Sequence, residues 1–164
     1  MDVLVRELSY IDSRELLHKF QLLENSYAAD WYGAEDESAD YIWLIENIVN
    51  PLGFLSYKLL VLPDKTGFVY IVKIYVLEDY RGSDAIPIEE ERASEILLRE
   101  IERKGINILT LESACDALDN RYEELGFEYI EEISREFGSI IGTVDKIMYK
   151  HIRVNTEENI ISQL

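Results

Sequence analysis

The stretch YVLEDYRGSDAIPIEEERAS, which begins at Tyr75, passes from a strand-like run through one Arg-Gly pair into a charged segment of helical character. A strand that breaks at such a pair and restarts as a helix is an arrangement that can hold a phosphate group. Glycine lets the backbone come close to the anion, and the N–H groups at a helix start point towards it. Arg81 and Gly82 supply the pair. Against a phosphate stand Asp84 and the run Glu89, Glu90 and Glu91, which would put negative charge at the end of the helix dipole where the anion belongs. Pro87 suits the first turn of that helix. Other reactive side chains are sparse. The single cysteine, Cys115, cannot form an internal disulfide, and the well-separated His18 and His151 make no metal-ligand pattern, so no metal cofactor is expected.

Charge narrows the partners. A net charge of -17 argues against a nucleic-acid backbone as partner, because binding there needs Lys and Arg to displace counterions. Cationic partners fit better. Acidic residues crowd DWYGAEDESAD from Asp30, which is loop-like, and IEEERASEILLREIE from Ile88, which is helical. No run of apolar residues is long enough to span a membrane, and the N-terminus MDVLVRELSY alternates apolar and charged residues, so neither a span nor a signal peptide is expected. The expected location is the cytoplasm.

Positioning those residues requires a fold. A chain of 164 residues, 48% apolar, can bury one good core, and the expectation is one domain over 1–152 with a loosely held tail over 153–164. DVLVRELSY reads as a strand, and DSRELLHKFQLLENSY as a helix with Leu16, Leu17, Phe20 and Leu23 on one stripe behind an Asp or Ser cap. Tyr41 to Ile48 reads as a strand, followed by a turn at Asn50-Pro51 and a second strand. FVYIVKIYVLEDY, rich in β-branched and aromatic residues, completes a three-strand meander. Ala93, Ile96, Leu97 and Ile101 then mark a helix stopped at Lys104-Gly105. INILTLES is a strand, ACDALDNRYEEL a short helix ended by Gly126, and FEYIEEISREF and VDKIMYKHI two closing strands.

This order of elements resembles the GNAT superfamily of N-acetyltransferases. Two stretches carry the resemblance: IYVLEDYRG, similar to the family's fourth strand and the opening of its pyrophosphate loop, and RYEELGFEYIEE, similar to its fourth helix running into the sixth strand. The resemblance implies an α/β fold of the α+β kind, with a central, mixed, mostly antiparallel sheet of about six to seven strands flanked by helices. The loop departs from the family pattern, because both later glycines are missing, and Asp84 to Ile88 looks like an insertion that displaces the helix start.

The resemblance implies an acyltransferase that moves an acetyl group from acetyl-CoA to a primary amine by direct attack. It implies that backbone groups of Ile74, Tyr75 and Val76 pair with the pantetheine arm and that Arg81, Gly82, Ser83, Asp84 and Ala85 face the pyrophosphate. Tyr122 matches a tyrosine that serves as general acid towards the thiolate, and Glu112 a glutamate that serves as general base. An acidic residue often found on the fourth strand is replaced here by Val72 and Lys73. Trp31, Tyr32, Glu35 and Asp36 lie in the segment that sets the acceptor in such enzymes, and carboxylates beside aromatic faces can receive a cationic amine, whether a small molecule or a protein amine. The alternative is a catalytically inactive protein of this fold whose acidic surface engages a basic partner. Pairing with a second copy of the chain stays open.

Overall fold

The computed structural model describes residues 2–23, 35–81, 85–88, 90–113 and 116–152. Their elements run β1 (Val3–Ser9), α1 (Tyr10–Leu23), β2 (Asp40–Glu46), β3 (Asn50–Val61), β4 (Gly67–Val76), α2 (Ala93–Glu102), β5 (Ile108–Glu112), α3 (Asp116–Glu124), α4 (Glu131–Ile141) and β6 (Ile147–His151). The strands form one mixed six-stranded sheet in the order β1-β2-β3-β4-β5-β6. β1 with β2, β2 with β3 and β5 with β6 are antiparallel, whereas β4 and β5 are parallel. A parallel neighbour cannot be reached by a tight turn, so the chain crosses over through α2. The mixed α/β sheet flanked by helices is the fold class that the sequence predicts, with six strands.

Two compact units make up the chain, one from Met1–Lys58 and Val72–Ile101, the other from Leu59–Ile71 and Glu102–Leu164. In the first, Ser9 caps α1 by accepting the Asp12 N–H on its Oγ at 3.3 Å, which starts the helix a turn earlier than the Asp12 or Ser13 cap would. Ser13, Leu17 and Phe20 form the buried stripe of α1, and Leu23 is exposed. Phe20 meets Phe54 and Tyr75 edge-on, with ring centroids 5.6 and 5.3 Å apart, inside an aromatic core that also holds Tyr41 and Trp43. Each such pair adds about 0.5–1.5 kcal/mol beyond its buried area. The buried Trp43 indole N–H is satisfied by Ser13 Oγ at 2.9 Å.

The hairpin turn between β2 and β3 lies earlier than the sequence predicts. Asn47 and Ile48 carry positive φ angles of 51° and 72°, and Asn50 and Pro51 are already strand residues. Two successive positive φ values give the twist that a tight hairpin needs, which the β-branched Ile48 adopts at a steric cost.

The second unit has its own core of Phe68, Ile108, Phe137, Ile147 and Tyr149. Here one expected strand is corrected: FEYIEEISREF contributes only an isolated bridge of Glu128 to Tyr149, and from Glu131 the chain is the helix α4. The alternation of Phe127 and Tyr129 suggests a strand, but Ile133, Phe137 and Ile140 recur at helical spacing and decide the outcome. α4 ends at Gly142 in the left-handed region, and at Gly138 any Cβ would lie 2.7 Å from the Thr143 carbonyl oxygen.

Candidate functional site

Past its last ladder pair with β5, Ile71 with Leu111, β4 runs on to Val76. Along this extension Ile74 is half-buried, while Tyr75 and Val76 are only 4% and 5% exposed. Gly53 of β3 explains the tight seat: a Cβ there would stand 2.9 Å from the Tyr75 carbonyl oxygen and 3.1 Å from Val76 Cα. The Leu77 N–H is fixed on the Leu52 carbonyl at 2.9 Å. With the Tyr75 and Val76 side chains buried, backbone is what this strand end can offer a ligand.

A single 3-10 turn, Glu78–Tyr80, follows β4 and ends at Arg81, whose backbone is extended. The Arg81 guanidinium lies 5.7 Å from the Tyr75 ring centroid and Lys73 Nζ lies 5.4 Å from it, so two cations gather on one ring in a strongly acidic chain. Gly82, Ser83 and Asp84 fall outside the described residues. Ala85 is half-buried, and the loop is closed by the Ile86 N–H on the Asp79 carbonyl at 2.8 Å.

The helix after this loop begins at Ala93, so Pro87, Glu90 and Glu91 do not occupy its first turn, which corrects the expectation for them; Glu89 falls outside the described residues. Ile88 and Glu91 exchange both backbone hydrogen bonds, at 2.8 and 2.9 Å, and Glu90 has a φ of 73°. That tight turn excludes helical geometry until Arg92, whose carbonyl accepts the Ile96 N–H. Glu91 is held instead by a two-pronged pair with Arg99 of α2, Nη1 to Oε1 and Nη2 to Oε2.

Trp31 and Tyr32 lie outside the described residues. Glu35 is exposed. The Asp36 carboxylate pairs with Lys58 Nζ at 3.0 Å and accepts the Ser38 N–H and hydroxyl at 2.9 and 2.6 Å. Burial pushes this carboxyl up, but the Ser38 and Lys58 hydrogen bonds outweigh it and hold the group below its ordinary range. Its backbone N–H donates to the Tyr41 hydroxyl at 2.8 Å, and desolvation raises that phenol to about 12. Asp36 therefore anchors its loop with groups of this chain.

At the end of β5 the side chains are polar and mutually bonded. Glu112 shares a hydrogen bond with Asp145, and that bond, burial and the neighbouring charge push the Glu112 carboxyl up to about 7. The next residue, Ser113, donates its hydroxyl to Asp119 Oδ1, while Lys146 Nζ donates to Asp119 Oδ2 at 2.7 Å and lies 4.4 Å from the Tyr129 ring centroid. Lys146 and Ser113 hold the Asp119 carboxyl low. The Ser113 N–H closes the group on the Lys146 carbonyl at 2.9 Å. Sequence reasoning singles out Glu112 but misses Asp145, Asp119 and Lys146. The only signal for them is the register of β5 on β6, which pairs Glu112 with Ile147 and so brings Asp145 and Lys146 alongside.

Tyr122 sits in the last turn of α3, and its spacing to Gly126 and Phe127 has a local cause. The Phe127 N–H reaches the Tyr122 carbonyl and the Gly126 N–H the Glu123 carbonyl, both at 3.0 Å, with Gly126 at φ +97°. This is a Schellman closure, whose usual apolar contact is supplied by the Tyr122 and Phe127 rings at 6.1 Å. The ring is thus structural, which leaves only its hydroxyl for chemistry.

No family model matches the sequence, and no curated protein matches it. Solved structures do match its fold. An acetyltransferase of the GNAT family from Staphylococcus aureus superposes with a TM-score of 0.62 at 16% identity, covering 93% of this chain and 100% of that one. A GNAT family N-acetyltransferase from Escherichia coli in complex with CoA gives 0.58 at 16% identity over 92% and 82%. NAA60 of Arabidopsis thaliana in complex with a bisubstrate analogue gives 0.57 at 13% identity over 93% and 99%. The fold is that of the GNAT N-acetyltransferases. Among the described residues no helix is long and apolar enough to cross a membrane.

Proposed function

We propose that this chain is an N-acetyltransferase that carries an acetyl group from acetyl-CoA to a primary amine. The observation that carries this reading is the fold shared with GNAT N-acetyltransferases, in which Glu112 ends β5 with its carboxyl pushed up to about 7 by its neighbourhood. A general base works best when its pKa lies near the working pH. The amine gives its proton to Glu112, its nitrogen bonds to the thioester carbonyl carbon, and the C–S bond breaks. The departing thiolate takes a proton from the Tyr122 hydroxyl.

Support for an acyl-CoA donor comes from the fold and from the similar Escherichia coli structure, which holds CoA. On this reading the backbone of Ile74, Tyr75 and Val76 receives the pantetheine arm, and Arg81 with Gly82, Ser83, Asp84 and Ala85 receives the pyrophosphate. Lys73, which shares the Tyr75 ring with Arg81, adds positive charge to the same region. Trp31, Tyr32, Glu35 and Asp36 belong to the segment that receives the acceptor amine on this reading. Titration calorimetry tests the donor half. Acetyl-CoA should bind, and Arg81→Ala should weaken it by about 1–3 kcal/mol, roughly 5- to 150-fold in Kd. If neither acetyl-CoA nor CoA binds at millimolar ligand, the transferase reading fails.

A further inference from the structure

The hairpin tip between β2 and β3 exposes large apolar side chains. Ile48, held at a φ of 72°, is 71% exposed and Val49 is 51% exposed, although a glycine or an asparagine would make the same turn without the steric cost and without apolar surface. A strained backbone that keeps an apolar side chain in water points to a contact made there. Both residues border a groove of about 500 Å³ whose other apolar walls are Leu8 of β1, Leu16 of α1 and Ile45 of β2. Leu4, itself exposed, lies opposite Ile45 in the β1–β2 ladder and extends the apolar strip. Because β1 is an edge strand, the groove lies at the margin of the sheet.

Four charges line the same groove, Arg6 on β1 and Asp12, Glu15 and Lys19 on α1. Their formal sum is zero in a chain of net charge -17. Among the described residues no ion pair engages any of the four, although Glu15 and Lys19 stand four apart on α1. We propose that this groove is the face on which two copies of the chain pair about a two-fold axis. In such a pairing a face meets itself, so it must be self-complementary. A face with two cations and two carboxylates meets that condition when Arg6 and Lys19 of one copy stand against Asp12 and Glu15 of the other. Ile48 and Val49 of each copy then leave water against the apolar walls of the partner's groove. Elsewhere two such acidic chains repel each other, and a locally neutral, apolar face is where the repulsion is least. A basic partner gains nothing from a face whose own charges cancel. The pairing needs neither acetyl-CoA nor an acceptor, so its failure and that of the transferase reading are separate results.

Sedimentation velocity of the full chain at about 100 µM should show a dimer that dissociates on dilution. Ile48→Gly puts a glycine after Asn47, a pair that suits a tight hairpin, so the fold should be kept while association weakens by about tenfold or more. Mixing tests the charges. One variant carries Arg6→Glu with Lys19→Glu, another Asp12→Lys with Glu15→Lys; each should lose roughly 10²-fold in self-association, and the two should pair when mixed. A monomer at about 100 µM overturns the proposal and leaves the groove to a different class of partner. A dimer that survives Ile48→Gly and both charge variants unchanged overturns this face as the interface. Folded charge variants that fail to pair on mixing overturn the self-complementarity on which the choice of a second copy rests. Where circular dichroism shows a charge variant unfolded, Ile48→Gly decides alone.

Discussion

At the end of β4, Tyr75 and Val76 turn their side chains into the core beside Gly53, so the strand presents backbone there. At the end of β5, Glu112 and Ser113 present polar side chains, and Ser113 donates its hydroxyl to Asp119, contributed from later in the chain. The first region is set by close backbone packing at Gly53, the second by polar groups and their charges. The contrast suits the two tasks proposed for them: an extended ligand arm needs a fixed row of N–H and C=O groups, whereas proton transfer needs a titratable group held by its neighbours.

Substitutions can separate the two regions, and the largest effect is expected at β5. Glu112→Gln should lower acetyl transfer by about 10²- to 10⁴-fold, the usual range for a general base, while calorimetry shows acetyl-CoA affinity unchanged. An unaltered rate would remove Glu112 from the chemistry. Next comes Tyr122, where the Schellman closure allows a clean separation of ring from hydroxyl. Tyr122→Phe should slow turnover by roughly 10²-fold at constant thermal stability, because the contact with Phe127 is kept, whereas Tyr122→Ala should also lower the melting temperature. If Tyr122→Phe turns over normally, the residue is a helix-closing ring and nothing more.

At the β4 end the expected effect is on stability. Gly53→Ala places a methyl group 2.9 Å from a backbone oxygen, a contact that forces β3 and β4 apart, and should cost about 1–3 kcal/mol by chemical denaturation. Weaker acetyl-CoA binding should accompany it; unchanged binding would show that the seat of Tyr75 and Val76 does not shape the ligand site. The smallest effect is a pH dependence. Because the Glu112 carboxyl rises from 4.5 to about 7, the folded chain keeps a proton between those values that the unfolded chain has released. Its contribution to stability is complete below pH 4.5 and is lost as pH rises through 7. Asp119, held low by Lys146 and Ser113, acts in the opposite sense, losing its contribution as pH falls below its ordinary 3.8. Melting temperature should therefore decline between pH 5 and pH 8, and the decline should shrink in Glu112→Gln; an identical slope in that variant would contradict the shift.

The sequence by itself determined whatever depends on neighbours a few residues apart. The stripe Ala93, Ile96, Leu97 and Ile101 with its stop near Gly105 sets α2, and Tyr122, Gly126 and Phe127 set the closure of α3, since caps and helical periodicity act within one or two turns. The order of elements, and with it the GNAT fold, was legible for the same reason. Tertiary structure decided the rest. FEYIEEISREF carries both an alternating start and a helical continuation, and packing of Phe137 on Phe68 selects the helix. The turn at Asn47-Ile48 uses positive φ without a glycine, which the strand pairing on either side imposes. Above all, Ser113 meets Asp119 and Lys146 only because β5 and β6 pair in one register. Contacts of that kind join residues far apart in the chain, and no local spacing encodes the register that brings them together.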